Sequence, residues 1–170
     1  LYLESWQRQR KVTINGVDHV DPGIAQVLAV GREAIRPTIA KLALEVHRKQ
    51  LQDGGTKDDC ADIPERDIVF AFHEISRHVH ADTLRAYLEE RAGLLVGREP
   101  GVYAFVHRSF QEYLAACALL DLDDGEEALL ACARTDPLWW REVFLLGIGS
   151  YRRHRGSAIR LLKDLLEDAP

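Results

Sequence analysis

Between Val102 and Leu120 the hydrophobic period of this chain changes, and that change restricts what it can fold into. Val102, Ala104 and Val106 alternate with Tyr103, Phe105 and His107, the pattern of a half-buried strand. Phe110, Leu114 and Cys117 then recur at i, i+4 and i+7, one stripe of a helix. Ser109 and Glu112 mark the joint as a capping box, in which the hydroxyl takes a free backbone N–H and the carboxylate reaches back. His107 therefore sits where a strand ends and a helix begins, at an edge where it can meet another domain.

The segments around this joint are mostly helical. Leu1 to Arg10 reads as the end of a helix, with Leu3 and Trp6 on one face. Val12 and Ile14 alternate ahead of Asn15-Gly16, which suits either a short hairpin or an irregular connection. Ile24 to Val30 suits a short helix ending at Gly31. Ala34 to Gln52 is a helix with Ile35, Ile39, Leu42 and Val46 as its buried stripe and Pro37 in its first turn. Asp62 to Val79 is the next, capped by Asp62 and Glu65 with Pro64 in the first turn and Ile68, Phe72, Ile75 and Val79 inward. Asp82 to Ala92 follows, with Leu84, Tyr87 and Leu88 inward and Gly93 as its stop. The 94–106 segment reads as a hairpin around Gly97-Arg98-Glu99-Pro100-Gly101. Three helices followed by a hairpin is the winged-helix order. Asp123 or Asp124 caps a helix from Glu126 to Ala133, and Asp136-Pro137 opens one through Trp139 to Ile148. Ser157 caps a last helix carrying Ile159, Leu162 and Leu165 or Leu166. The expected core includes Leu88, Phe105, Phe110 and Leu114, with Trp139 or Trp140 packing between the hairpin-bearing unit and the final helices.

Length and charge narrow the function classes. A chain of 170 residues suits one domain or two small ones. The net charge of -5 argues against a general polyanion binder. No apolar run approaches the roughly 20 residues needed to span a membrane. Cys60, Cys117 and Cys132 are odd in number and widely spaced, which predicts reduced thiols in an intracellular, cytoplasmic protein rather than a disulfide framework or a zinc site. The chain opens at Leu1 in mid-pattern and contains no Met, as expected of a piece of a longer protein.

The stretch F-x-H-x-S-F-Q-E-Y-L-A-A from Phe105 to Ala116 resembles the motif found just C-terminal to the nucleotide-binding module of NACHT-containing proteins. These are the signal-transducing ATPases with numerous domains, among them NOD-like immune receptors and bacterial defence proteins. R-A-G-L-L at Arg91 to Leu95 resembles the approach to the family's wing hairpin. D-P-L-W-W-R-E-V at Asp136 to Val143 resembles the Trp-containing helix that follows. In outline the similarity runs from Glu33 to Glu167. It implies a mainly α fold: residues 1–33 as the tail of a helical linker, 34–120 as a winged-helix unit with one β-hairpin, and 121–170 as a small helical bundle or helical-repeat segment. It also implies a regulatory role. The winged-helix domain of the family folds back on the nucleotide-binding module at rest, and the motif histidine contacts the β-phosphate of ADP. By that resemblance His107 is the nucleotide-binding residue of this chain, the alternative being a histidine that caps or packs at the strand–helix joint. The implied partners are the NTPase module of the same protein and, on activation, further copies of it. ADP or ATP with Mg belongs to the parent protein, with no cofactor bound by this fragment alone.

Other chemistries compete with this reading. A DNA-binding winged helix needs a basic recognition region. From Pro64 to Pro100, Arg66, Arg77, Arg85, Arg91 and Arg98 face Glu65, Asp67, Glu74, Asp82, Glu89, Glu90 and Glu99, so the region is slightly acidic and suits phosphate poorly. The basic run Arg152, Arg153, His154 and Arg155 suits a solvated turn. Gly54-Gly55-Thr56-Lys57 lacks the full phosphate-loop spacing and has no strand before it. Of His73, His78 and His80 only two would align on a helix, and no Cys or carboxylate stands at a clear third position for a metal. Glu112 is explained as a cap, and Arg141 and Glu142 as helix surface. Nothing in the pattern predicts catalysis by the fragment itself. The alternative function is a DNA-binding or other protein-interaction module.

Overall fold

A computed structural model describes residues 10–14, 17–21, 32–57, 59–77 and 94–150, with 160 and 163. The expected helices at Ile24–Val30 and Asp82–Ala92 lie outside the described residues, as do residues 1–9 of the helix expected to end at Arg10, the Asn15-Gly16 turn, Leu88, Gly93, His78, His80, the 152–155 basic run and Ser157; Arg10 itself opens a strand. Arg160 and Lys163 are helical, in the range expected of the last helix.

The described elements, in chain order, are β1 (Arg10–Ile14), β2 (Val17–Asp21), α1 (Arg32–Gln52), β3 (Ile63–Pro64), α2 (Glu65–His73), β4 (Leu95–Glu99), β5 (Val102–Phe105), α3 (Arg108–Leu120), α4 (Gly125–Thr135) and α5 (Pro137–Ser150). They form two compact units, Leu1–Ile39 with Asp62–Val106, and Ala40–Ala61 with His107–Pro170. No helix among the described residues is long and apolar enough to cross a membrane.

In the first unit β1 and β2 pair antiparallel, from Arg10 opposite Asp21 to Ile14 opposite Val17, so the early alternation is a hairpin. The 94–106 hairpin forms as β4 and β5, and Gly101 turns it at φ 76°, a conformation that favours glycine. The register shifts between Gly97 and Glu99, a bulge that bends the hairpin near its tip. The sheet is wider than the expected hairpin. Ile63 and Pro64 add a strand beside β5, giving the order β3-β5-β4. That pairing moves the start of α2. Pro64 is extended (φ -58°, ψ 139°) and precedes the helix without a side-chain cap, and the Glu65 N–H donates to the Gly101 carbonyl at 2.8 Å. Asp62 is therefore not a cap, and its carboxylate lies 3.4 Å from Arg98. The half-buried strand is a second correction. Tyr103, Ala104 and Phe105 are all buried, because both faces of β5 are apolar enough to be covered. Ile63, Ile68, Phe72 and Leu94 complete this core.

α1 runs through the boundary between the units. Its expected stripe is buried at Ile35, Ile39, Leu42 and Val46. Pro37 lies two residues deeper than expected, past the first turn and inside the helix, because the helix already begins by Arg32. Without an N–H it cannot bond back to Glu33, an irregularity that helices accept at a cost in stability. Next to it the Thr38 hydroxyl donates to the Ala34 carbonyl at 2.8 Å.

In the second unit α3, α4 and α5 pack on one another around Leu119, Leu129, Trp139, Trp140, Val143 and Phe144. Both tryptophans are buried. Gly147 allows α5 to approach closely: a Cβ there would meet Leu129 Cδ2 at 2.8 Å. Asp136 caps α5 as expected, accepting the Trp139 N–H at 2.8 Å. Asp124 precedes α4 without a side-chain capping bond.

Candidate functional site

α3 starts one residue after His107. The histidine backbone is extended (φ -136°, ψ 140°), and its carbonyl accepts the Phe110 N–H at 3.0 Å. His107 thus occupies the cap position, and the Ser109–Glu112 capping box does not form. Its imidazole makes no side-chain capping bond and is exposed. The ring leans on Phe110, 5.9 Å between centroids, and Phe110 is half-buried rather than in the expected core. An exposed imidazole therefore stands at the start of a thirteen-residue helix, where free backbone N–H groups and the helix dipole favour an anion.

Behind His107 lies a network that the motif did not reveal. Arg108 directs Nε to Glu112 Oε1 at 2.9 Å, so the glutamate answers a guanidinium one turn earlier instead of the helix terminus. Its Nη1 donates to the Asp59 carbonyl at 2.7 Å, the Thr56 carbonyl at 3.2 Å and Gln50 Oε1 at 3.3 Å. The guanidinium also lies over the Trp139 ring, 4.7 Å from its centroid. Gln50 Nε2 donates to the same two carbonyls, that of Thr56 at 3.1 Å and that of Asp59 at 3.0 Å.

The amide of Gln111 decides a tautomer. Its Oε1 accepts the Ala61 N–H at 3.0 Å, so its Nε2 must be the group facing His47 Nδ1 at 3.2 Å. An amide nitrogen donates, so Nδ1 accepts and the His47 proton is on Nε2. Burial, helped by the positive charges of Arg108 and Lys57, pushes the His47 pKa down from 6.5 to about 3, which keeps the ring neutral. His47 is packed between two indoles, 5.2 Å from Trp139 and 4.8 Å from Trp140. With this tautomer, the buried side-chain atoms lacking a partner among the described residues are all donors: His47 Nε2, Arg108 Nη2 and Trp139 Nε1.

Other candidates carry less. Among the described residues no group of three or more His, Cys, Asp or Glu could hold a metal, and His73 is exposed. In the Gly54–Lys57 loop the backbone donors turn back onto α1, with Gly54 N–H bonding to Leu51 and Gly55 N–H to Gln50, at 3.1 Å and 2.8 Å. They form the end of a helix rather than a cradle for phosphate. Arg141 and Glu142 pair with each other on an exposed face. Cys60, Cys117 and Cys132 form no disulfide, and Cys117 is buried.

A short three-stranded antiparallel sheet, helix packing beside it and a strand leading directly into a long helix define the class as a winged-helix domain. A family model described as the winged helix-turn-helix domain C-terminal to NACHT matches residues 1–119, and the chain belongs to that family. No curated protein and no solved structure matches it. A winged-helix domain is not itself catalytic, and in this family it is associated with the NACHT module of the same protein.

Proposed function

We propose that this chain is the regulatory winged-helix and helical region of a NACHT-type signal-transducing NTPase in the cytoplasm. Residues 34–120 act as the winged-helix domain and 121–170 as the helical subdomain that follows. Together they hold the nucleotide-binding module in a closed, ADP-bound state and relay its opening to self-association and signalling. The parent protein is an ATPase working with Mg. This region supplies no catalytic group, and its partner is the NTPase module rather than nucleic acid or membrane.

The observation that supports this reading best is the exposed imidazole of His107 at the start of α3, free of a capping bond. A ring N–H there can donate to a diphosphate oxygen beside the helix terminus, where negative charge is favoured. Exchange of ADP for ATP changes charge and shape at that point, and the closed arrangement then loses its advantage.

The test is His107→Leu in the intact protein, which removes the donor at similar volume. With ADP bound and no trigger present, light scattering should show the variant self-associating where the parent remains in its resting state. A well-folded variant that stays in the resting state under these conditions would refute the proposal.

A further inference from the structure

We propose that Arg108 is the positioning residue of this site: it locks the loop backbone at Thr56 and Asp59 to the start of α3 and so sets how His107 is presented. The consequence for nucleotide rests on the reading of His107 above, whereas the lock itself rests on geometry alone.

Arg108 is the first residue of α3 and adjoins His107. Its Nε and Nη1 engage opposite sides, Glu112 on its own helix and the Thr56 and Asp59 carbonyls on the loop. The guanidinium face rests on Trp139. Only a planar fork makes all three contacts at once, since a lysine ammonium is a single point that does not stack in this way. The loop is held redundantly from α1, because Gln50 donates to the same two carbonyls. Gln111 takes the next donor along, the Ala61 N–H. The backbone at Thr56, Asp59 and Ala61 is thus fastened to α3, while Thr56, Lys57 and Asp59 remain exposed. The contacts use loop carbonyls, so the lock does not depend on the loop's own side chains. Displacement of the exposed loop pulls on the first residue of α3, next to the imidazole that the proposed function assigns to ADP.

The experiment compares Arg108→Lys, Arg108→Ala and Gln50→Ala with the exposed surface variant Arg141→Ala as control. In the 170-residue chain, NMR follows the His107 ring signals, the His107–Phe110 contact and exchange of the Ala61 amide. Arg108→Lys should shift the His107 ring signals and raise Ala61 exchange by about tenfold, the effect of losing one charge-assisted hydrogen bond. Gln50→Ala should move both in the same direction by less, and Arg141→Ala should move neither. In the intact protein Arg108→Lys should release ADP about tenfold faster on the same basis. A purely structural arginine would lower the melting temperature and leave the His107 signals in place. That result in the folded Arg108→Lys or Gln50→Ala protein overturns the proposal, even if Arg108→Ala fails to fold. The two readings separate cleanly. Moved His107 signals with ADP release indifferent to His107→Leu uphold the lock and remove the nucleotide role. Unmoved signals with release sensitive to His107→Leu remove the lock alone.

Discussion

The neutral His47 makes a prediction about pH. Its folded-state pKa is about 3 against 6.5 for the unfolded chain, so between these values the unfolded state binds the extra proton. Stability from this residue is therefore complete above the unfolded pKa and is lost as pH falls from about 6.5 toward 3. At pH 5 the unfolded chain is almost fully protonated at this site and the folded chain almost not at all, which costs about 2 kcal/mol relative to pH 7. The groups that set this are the Gln111 amide, the rings of Trp139 and Trp140, and the charges of Arg108 and Lys57. The assay is urea unfolding at pH 7, 6 and 5, followed by tryptophan fluorescence, for the parent and for His47→Gln. Glutamine does not titrate, so comparing the two isolates His47 from the carboxylates and other histidines. The variant should be less stable at pH 7, and the gap should narrow by about 2 kcal/mol by pH 5. Parallel pH profiles would refute the tautomer and burial argument, as would a His47 NMR titration with an ordinary midpoint.

Further outcomes follow from packing and from the Gly54–Lys57 loop. Gly147→Ala should destabilise by about 1–3 kcal/mol, because the new Cβ meets Leu129. Adding it to Leu129→Ala should cost measurably less than making it in the parent, and additive losses in denaturant melts would reject the close approach. Trp140→Ala should cost about 3–5 kcal/mol in the same assay, since the indole is buried against His47, and an unchanged midpoint would contradict this packing. The isolated chain should turn over no ATP, because the amides of its glycine loop are bonded to α1. Stoichiometric turnover by a clean preparation would overturn that.

Much of this architecture is legible in the sequence, for physical reasons that also explain the gaps. The stripe Ile35, Ile39, Leu42 and Val46 has only one way to be buried at once, so α1 and its inward face follow from spacing. The change of period near His107 likewise marks the joint between β5 and α3. Caps are harder to read, because several polar residues compete for the same terminus. Ser109 and Glu112 have capping-box spacing, yet Arg108 takes the carboxylate, since a guanidinium binds it more strongly than a backbone N–H does. Asp62 has the same difficulty: two residues of strand pairing beside β5 displace the helix start to Glu65. The His47–Gln111–Arg108 network could not be read from local pattern. His47 and Gln111 are 64 positions apart, and a histidine at that point of α1 looks like any other polar residue on a helix. The one available hint is Gln111, a polar residue of the motif to which the local pattern assigns no role.

The most direct measurement of the regulatory role is the ADP dissociation rate of the intact protein with and without His107→Leu, with the melting temperature of each nucleotide-free protein taken alongside. A charge-assisted hydrogen bond is worth roughly 1.5–3 kcal/mol, so release should accelerate by about one to two powers of ten. The melting temperature of the nucleotide-free protein should change little, because the ring is exposed and makes no capping bond. An unchanged dissociation rate in a well-folded variant would take His107 out of the nucleotide site and leave the motif as architecture: a hairpin, the helix it leads into, and the joint between them.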